Sequence, residues 1–435
     1  MNRKKVVAFL PAKGSSDRVP NKNTRIFNGE PFFVFTLRKL LRCEAIDEVY
    51  LDSEDPEILA IGERMGAKTL RRDRALADNK TDGHQLFANE VRQVEADIYV
   101  QHLCTSPFVR DSTIRAAIER VATDATCDSV VLGRQDKYYH WKDNQPAYDI
   151  SRIPNSVDLP QEQSEAMALY VVRADAAKAT QRRIGNAPAM IYGDPLELID
   201  VNTEEDLRLA ELVGAGILAE EVKKLTLLGR FLSSPILSDI LDEFQINGVL
   251  GPHYQSNLPG AKIFGRARTL HIREATAHDP KESIYEALQS YRQVVNNDII
   301  LVKSEVPGLA YFGELNMSLA IRSGAIGTIV AGVTRDSKAT AAAGFPVFAR
   351  GTYCKDVKGR GAVESINKPI VIDGVTISPS DLVFADQDGV VVIPSRMEVA
   401  VLRRAIEVMS SEKNIIRDVC EDFDVNGLVE KYGFF

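Results

Sequence analysis

Two stretches of this chain carry side chains that chemistry can use. The first, LPAKGSSDRVPNKN at 10–23, places small residues and three cations, Lys13, Arg18 and Lys22, directly after the apolar run VVAFL. Small residues after a buried strand let backbone N–H groups approach an anion, and nearby cations neutralise the charge that grows when a phosphorus centre is attacked. The plain alternative is a polar surface turn with solvated cations, since exposed Lys and Arg are the norm. The segment has neither the GxxxxGK[ST] nor the GxGxxG pattern, so it uses neither of those phosphate cradles. The second stretch, GELNMSLAIRSGAIGTIVAGVTRDSKA, puts Glu314 at a helix start and the pair Arg335-Asp336 after a buried strand, with 20 residues between. A strand-ending Arg beside an Asp can bring a carboxylate substrate and a metal to one spot; an exposed ion pair is the ordinary alternative.

Both stretches need elements to hold them. Apolar periodicity predicts a buried strand at 5–10, an amphipathic helix at 32–41 and a strand at 49–53. DPEILAIGERMGA reads as helical, AKTLRR as extended, QLFANEVRQVEA as helical, and DIYVQHLC as a buried strand followed by a polar loop. Such alternation implies a mostly parallel sheet covered on both faces, with ligands gathered at the carboxyl ends of its strands. In IDVNTEEDLRLAELVGAG, Thr203 caps a helix with Asp206 three residues on, and glycines follow. A boundary is placed near 215–230, giving a first domain at 1–215, a helical connector at 216–230 and a second domain at 231–435. The second is rich in short β-like runs, with helices at 282–293, 314–323 and 396–411.

At 435 residues two cores are expected. A net charge of −8 without a basic block argues against a nucleic-acid surface. The five cysteines form no CxxC pair, so neither a disulfide framework nor a thiolate zinc site is suggested, and a reducing cytoplasm fits. The apolar run after MNRKK falls short of the roughly 7–15 residues of a signal core, and no stretch is long enough to span a bilayer, so no membrane partner is expected.

The order of residues adds a resemblance. LPAKGSSDRVPNKN is similar to the IPARGGSKRIPRKN signature of the CMP-sialic acid and CMP-ulosonic acid synthetases, a cytidylyltransferase family. VYLDSEDPEI, RRDRALADN, CTSPF and IDVNTEEDL then match further family segments in the family's order, over roughly 1–213. The resemblance implies a Rossmann-like nucleotidyltransferase fold of the GT-A type, a mixed sheet with helices on both faces. It implies that Pro11, Ala12, Lys13, Gly14, Ser15 and Ser16 hold the triphosphate and ribose of CTP, with Lys13 where the family has its catalytic arginine. Lys13 keeps the charge and loses the planar fork. Arg18 and Lys22 match family cations. Asn23 and Arg72 match positions facing the nucleotide or the acidic sugar, and Thr105 and Ser106 follow the central strand. Asp200 matches a ligand of Mg²⁺ (or Mn²⁺), which favours carboxylates and waters, while Asn202 replaces a second aspartate. On the acceptor side, EAMALYVV departs from the family's NGAIY at Glu165 and Ala166, and Leu103 replaces a glutamine. CTP is therefore the firmer substrate; the acceptor is an acidic sugar such as a sialic acid-like or other ulosonic acid, or another anion such as a phosphonate.

The second stretch belongs to a further resemblance. LSDILDEF, GRART, Gly313-Glu314 with Arg335-Asp336, FPVFARG, NKPIVIDGV and DLVFADQDGVVVIP resemble, over about 233–415, the family of the regulator of ribonuclease activity A and the class II hydroxymethylglutarate-type pyruvate aldolases. An α/β/α domain is implied. In the aldolase branch Asp336 ligates a divalent metal, Glu314 supports it through water, and Arg335 grips the carboxylate of a 2-oxo acid. Backbone around Gly313 and Leu315 completes the enolate pocket, and Glu412 is a candidate acid supplied by a neighbouring subunit. Asn316 departs from the family's text. The resemblance implies a homo-oligomer, a trimer or hexamer through this domain. The joint expectation is a bifunctional enzyme; its rival is a cytidylyltransferase with a non-catalytic oligomerisation or regulatory module.

Overall fold

A computed structural model describes residues 4–432 apart from 17, 79, 307 and 421–424; the side chains of 411–428 lie outside the described set. The chain divides into two compact units, 1–214 and 215–435. Among the described residues no helix is long and apolar enough to cross a membrane.

The first unit is built on seven strands: β1 (Val6–Pro11), β2 (Glu48–Ser53), β3 (Lys68–Arg71), β4 (Ile98–His102), β5 (Ser129–Asp136), β6 (Glu162–Arg173) and β7 (Pro188–Tyr192). Their order is β7-β5-β6-β4-β1-β2-β3. β1 pairs in parallel with both β2 and β4, as a βα alternation demands. β6 alone runs antiparallel, to β4 and β5, so the sheet is mostly parallel and made mixed by that one strand, as the resemblance implies. Alternation along β1 sends Ala8 and Leu10 to one face and Val7 and Phe9 to the other. Helix α1 (Phe32–Arg42) lays Leu37 and Leu40 on the first face, along with Ile58 of α2 (Pro56–Arg64). Phe87 and Val91 of α3 (Gly83–Gln93) cover the second. α4 (Asp111–Thr123) returns to the first face with Ile114 and Ile118, and α5 (Ala174–Thr180) to the second with Ala177.

Thr203 does act as a cap: its Oγ1 accepts from the Asp206 amide at 3.1 Å, while Asp206 Oδ2 accepts from the Asn202 and Thr203 amides at 2.9 and 2.8 Å. The glycines that follow do not stop the helix, and α6 runs from Glu204 to Phe231. Gly214 answers to packing instead, for a Cβ there would lie 2.8 Å from the Phe27 ring.

The second unit opens with α7 (Ser234–Glu243) and contains β8 (Gln255–Ser256), β9 (Ile263–Glu274), β10 (Asp298–Ser304), β11 (Gly327–Ala331), β12 (Val347–Ala349), β13 (Gly361–Ile366), β14 (Leu382–Ala385) and β15 (Val390–Ile393). The order is β8-β12-β11-β10-β9-β14-β15, with β13 also on β9. Residues 283–293, expected as an α-helix, form 3₁₀ turns. α8 (Glu314–Ser323) and α9 (Ser337–Ala342) follow β10 and β11, and α10 (Glu398–Cys420) packs Val401 and Ala405 against Phe264, Phe384 and α7. Arg266 of β9 pairs with Glu221 of α6 and Glu398 of α10, closing that face with a satisfied charge.

Beneath the carboxyl edge of the first sheet lies a buried polar network. Arg72 donates through Nε to Asp52 at 3.1 and 3.2 Å, and both are almost wholly buried. Glu90, three residues after Phe87 on the apolar side of α3, accepts from Gln101 Nε2 at 2.7 Å. Burial first, and the adjacent Asp52 carboxylate second, push the Glu90 carboxyl well above its ordinary range. A carboxyl held neutral by the fold contributes stability that is full below the ordinary glutamate range, about 4.3, and falls as pH climbs toward the raised value. Glu90→Gln should therefore gain melting temperature relative to the parent as pH is raised from 5 to 8. Thermal melts across that interval with a constant offset would contradict a neutral Glu90.

Candidate active sites at two strand-end turns

The turn after β1 is tied residue by residue to neighbouring loops. The Pro11 carbonyl accepts from the Cys104 thiol at 3.4 Å, and the Ala12 amide donates to the Asp52 carbonyl at 2.9 Å. The Lys13 carbonyl accepts from Asn23 Nδ2 at 2.7 Å, and the Gly14 amide donates to Glu54 Oε1 at 2.8 Å. Ser16 Oγ accepts from the Val19 amide at 3.4 Å, and Ser15 is exposed. A Cβ on Gly14 would stand 2.5 Å from Asp55 Oδ2, so the turn admits no side chain there. An acid, Glu54, thus already sits on an amide of the proposed phosphate turn.

Lys22 is buried, and its Nζ donates to the Val201 carbonyl at 2.7 Å. Burial lowers its pKa, against the opposing pull of Cys104 and Asp200; Arg18, exposed, lowers it further. The Val201 amide in turn donates to the Thr105 carbonyl at 2.8 Å. This brings Thr105, Ser106, Lys22 and Asp200 to one place, joined through Cys104 and Asn23 to the β1 turn. The Ser106 hydroxyl is buried with no hydrogen-bond partner.

Asn23 and Arg72, expected to face ligand, are committed elsewhere. Asn23 braces the Lys13 carbonyl and accepts from the Cys104 thiol at 3.2 Å; Arg72 is spent on Asp52. Both brace the turn in this structure. Burial pushes the Cys104 thiol up to about 11, in keeping with a small buried filler rather than a nucleophile.

Asp200 offers a direct test of a cation site. Its Oδ2 accepts from Asn202 Nδ2 at 2.5 Å, whereas its Oδ1 is buried and has no hydrogen-bond partner among the described residues. A buried carboxylate oxygen without a donor is costly, and a hard divalent ion is the partner such an oxygen suits. Asn202 presents its N–H to Asp200 and so supports that carboxylate. No group of three or more His, Cys, Asp or Glu converges on a metal position among the described residues.

On the acceptor side, β6 breaks register between Glu165 and Tyr170. Met167 within that bulge takes a φ of 50°, half exposed, so the left-handed position that suits glycine falls on Met167 rather than on Glu165 and Ala166. The Tyr170 hydroxyl donates to Glu165, and the Arg183 guanidinium lies 4.1 Å from the Tyr170 ring centre.

The second turn joins β11 to α9. The Arg335 amide donates to the Phe312 carbonyl at 3.0 Å, and the Glu314 amide donates to Asp336 Oδ2 at 3.1 Å. Gly313 is required, because a Cβ would lie 2.5 Å from that same Asp336 oxygen. Asp336 has a φ of 54°, a conformation aspartate tolerates better than most residues. Arg335, Asp336 and the Gly313–Leu315 backbone therefore meet. It is the Glu314 amide, not its carboxylate, that touches Asp336, and the Leu315 side chain is exposed. Arg335 Nη1 lies 2.7 Å from Asp356 Oδ2, a partner no motif announced. Asn316 Nδ2 donates to the Tyr311 carbonyl at 2.7 Å and thus serves the turn leading into the site. The partly exposed Asp336 suits a divalent ion whose remaining ligands are waters; Glu412 lies outside the residues whose side chains are described.

Glu54, Glu90 and Arg183 were not read as site residues. Only Glu90 left a trace in the sequence, as a charged residue at a helical spacing reserved for apolar ones.

Comparison with known proteins divides the chain at the same place. The family profile described as Cytidylyltransferase matches residues 7–198, and the one described as Aldolase/RraA matches 235–392. Protein DlpA of Legionella pneumophila is 30% identical over 185 residues, 42% of this chain but only 29% of its own length. The "Putative 4-hydroxy-4-methyl-2-oxoglutarate aldolase" of Halalkalibacterium halodurans is 31% identical over 178 residues, 40% of this chain and 79% of that protein. The pseudaminic acid cytidylyltransferase of Campylobacter jejuni is 26% identical over 224 residues, 48% of this chain and 96% of that protein. With a nucleotidyltransferase turn in one half and an Arg-Asp turn in the other, the chain belongs to the cytidylyltransferases through its first unit and to the RraA-like aldolases through its second.

Proposed function

We propose that the first unit transfers CMP from CTP to an acidic sugar of the ulosonic type, releasing pyrophosphate, and that the second is a metal-dependent lyase acting on a 2-oxo acid. The observation that carries the first reading is the unpartnered Asp200 oxygen buried beside Lys22 and the amide turn. The relative named for pseudaminic acid, matched over nearly its whole length, supports the acceptor class.

The acceptor hydroxyl attacks the α-phosphorus in line while pyrophosphate leaves opposite. Such a transfer asks the protein mainly for positioning and charge neutralisation. Turn amides of Gly14, Ser15 and Ser16 meet the phosphate oxygens, that of Gly14 once Glu54 has left it, Lys13 and Arg18 offset the charge that builds on them, and Lys22 holds the Asp200 loop in place. Asp200 would hold Mg²⁺ or Mn²⁺, which when bound supplies further neutralisation of the phosphates. Pyrophosphate release from CTP, assayed with a panel of acidic sugars and phosphonates, tests this reading. Lys13→Ala should lower turnover about 100-fold or more with the melting temperature preserved; undiminished release would remove Lys13 from its role.

For the second unit, Arg335 grips the carboxylate of a 2-oxo acid, and the turn's amides face the oxygen that becomes an enolate. Asp336 would hold the divalent ion, which when bound polarises that oxygen. The Halalkalibacterium relative supports the lyase reading by its name. We assign oligomer formation, as trimer or hexamer, to this unit. Pyruvate release from 4-hydroxy-2-oxo acids with Mg²⁺ or Mn²⁺ should fall to background in Asp336→Ala. A parent chain without metal-dependent release would instead make this unit an oligomerisation or regulatory module.

A further inference from the structure

We propose that Arg183 binds the anionic group of the sugar acceptor; this rests on the cytidylyltransferase reading of the first unit. Arg183 lies in the loop after α5, its guanidinium stacked on Tyr170 at 4.1 Å from the ring centre. Among the described residues its guanidinium is engaged in no hydrogen bond or ion pair; only its backbone amide is used, donating to His84 Nδ1 at 3.4 Å. Cation–π attraction to the ring face holds the guanidinium without using its N–H donors, and the charged group that feels it from α3 is Asp82, the cap of that helix. Space is set aside for it: a Cβ on Gly83, the first residue of α3, would lie 2.5 Å from the guanidinium carbon.

The location is on the acceptor side. The Tyr170 ring that carries Arg183 directs its hydroxyl to Glu165 at the β6 bulge, and that hydroxyl feels the charges of both Arg183 and Asp200. The same edge holds two other cations whose side chains are occupied, Arg72 with Asp52 and Lys22 with the Val201 carbonyl. Glu165 alone would repel an acid approaching this wall. A planar, pre-oriented guanidinium with unspent donors is what a carboxylate beside that glutamate requires, and it can accept the acid in a forked geometry. A bare packing role on Tyr170 would leave acceptor preference untouched, which makes the two readings separable.

The test uses the full chain, its Arg183→Ala and Arg183→Lys variants, and paired acceptors: pseudaminic acid and 3-deoxy-manno-octulosonate, each beside its carboxamide, with 2-hydroxyethylphosphonate as a second anion. KM for the acceptor is read at saturating CTP, and KM for CTP at saturating acceptor. The parent should prefer acid to carboxamide. In Arg183→Ala the KM for the acid should rise about 10- to 100-fold, the equivalent of one charge-assisted hydrogen bond, while KM for CTP stays within about twofold and the acid-over-amide preference disappears. Arg183→Lys should recover part of that preference, and it carries the test if the alanine variant melts early. If only the phosphonate shows the effect, Arg183 still binds the anion and the acceptor class changes. Retention of the acid preference in both variants, or its absence in a parent that binds CTP, overturns the inference. A parent that binds no CTP fails earlier, and with it falls the cytidylyltransferase reading as well.

Discussion

Val201 is held from both sides, and the candidate site of the first unit depends on that grip. Its carbonyl takes the buried Lys22 ammonium and its amide is given to the Thr105 carbonyl. Between them these two bonds fix the loop that carries Asp200 against the end of β4, one strand away from the β1 turn. Lys22 spends its charge inside the protein, on a carbonyl and near Asp200, at a desolvation cost visible in its lowered pKa. A cation used this way is a structural rivet with electrostatic reach.

The two active-site turns, though unrelated in sequence, solve one steric problem in the same manner. In each, a glycine gives up the volume of a Cβ to a carboxylate oxygen, Asp55 at Gly14 and Asp336 at Gly313, both with 2.5 Å to spare for nothing larger than hydrogen. In the second turn the acid is itself in the left-handed region, so any backbone strain sits on the proposed metal-holding residue.

Much of this was legible in the residues. The apolar runs and their periods located β1, α1, β2, α2, α3 and β4 closely, because each is amphipathic or wholly buried and its pattern is local. The mixed sheet was legible through the family resemblance and not through the periods, since the reversal of β6 is decided by pairing across about 60 residues of intervening chain, a non-local choice that no period encodes. The continuous α6 defeated the glycine rule because Gly214 is demanded by the ring of Phe27, a contact between distant segments. At the site, ordered motifs found which residues gather but not their partners within the protein: Asn23 bonds to the Lys13 carbonyl and Arg72 to Asp52. Glu54 and Arg183 enter through tertiary folding alone.

The carboxylate of Glu54 on the Gly14 amide means that the phosphate turn is kept in shape by an anion of the protein's own. On the function proposed above, nucleotide entry would exchange one negative group for another, a phosphate oxygen replacing Glu54 on the Gly14 amide. A singly charged small ion would gain little from such a trade, whereas a polyphosphate would meet several amides and cations at once, so the loop would discriminate by number of contacts.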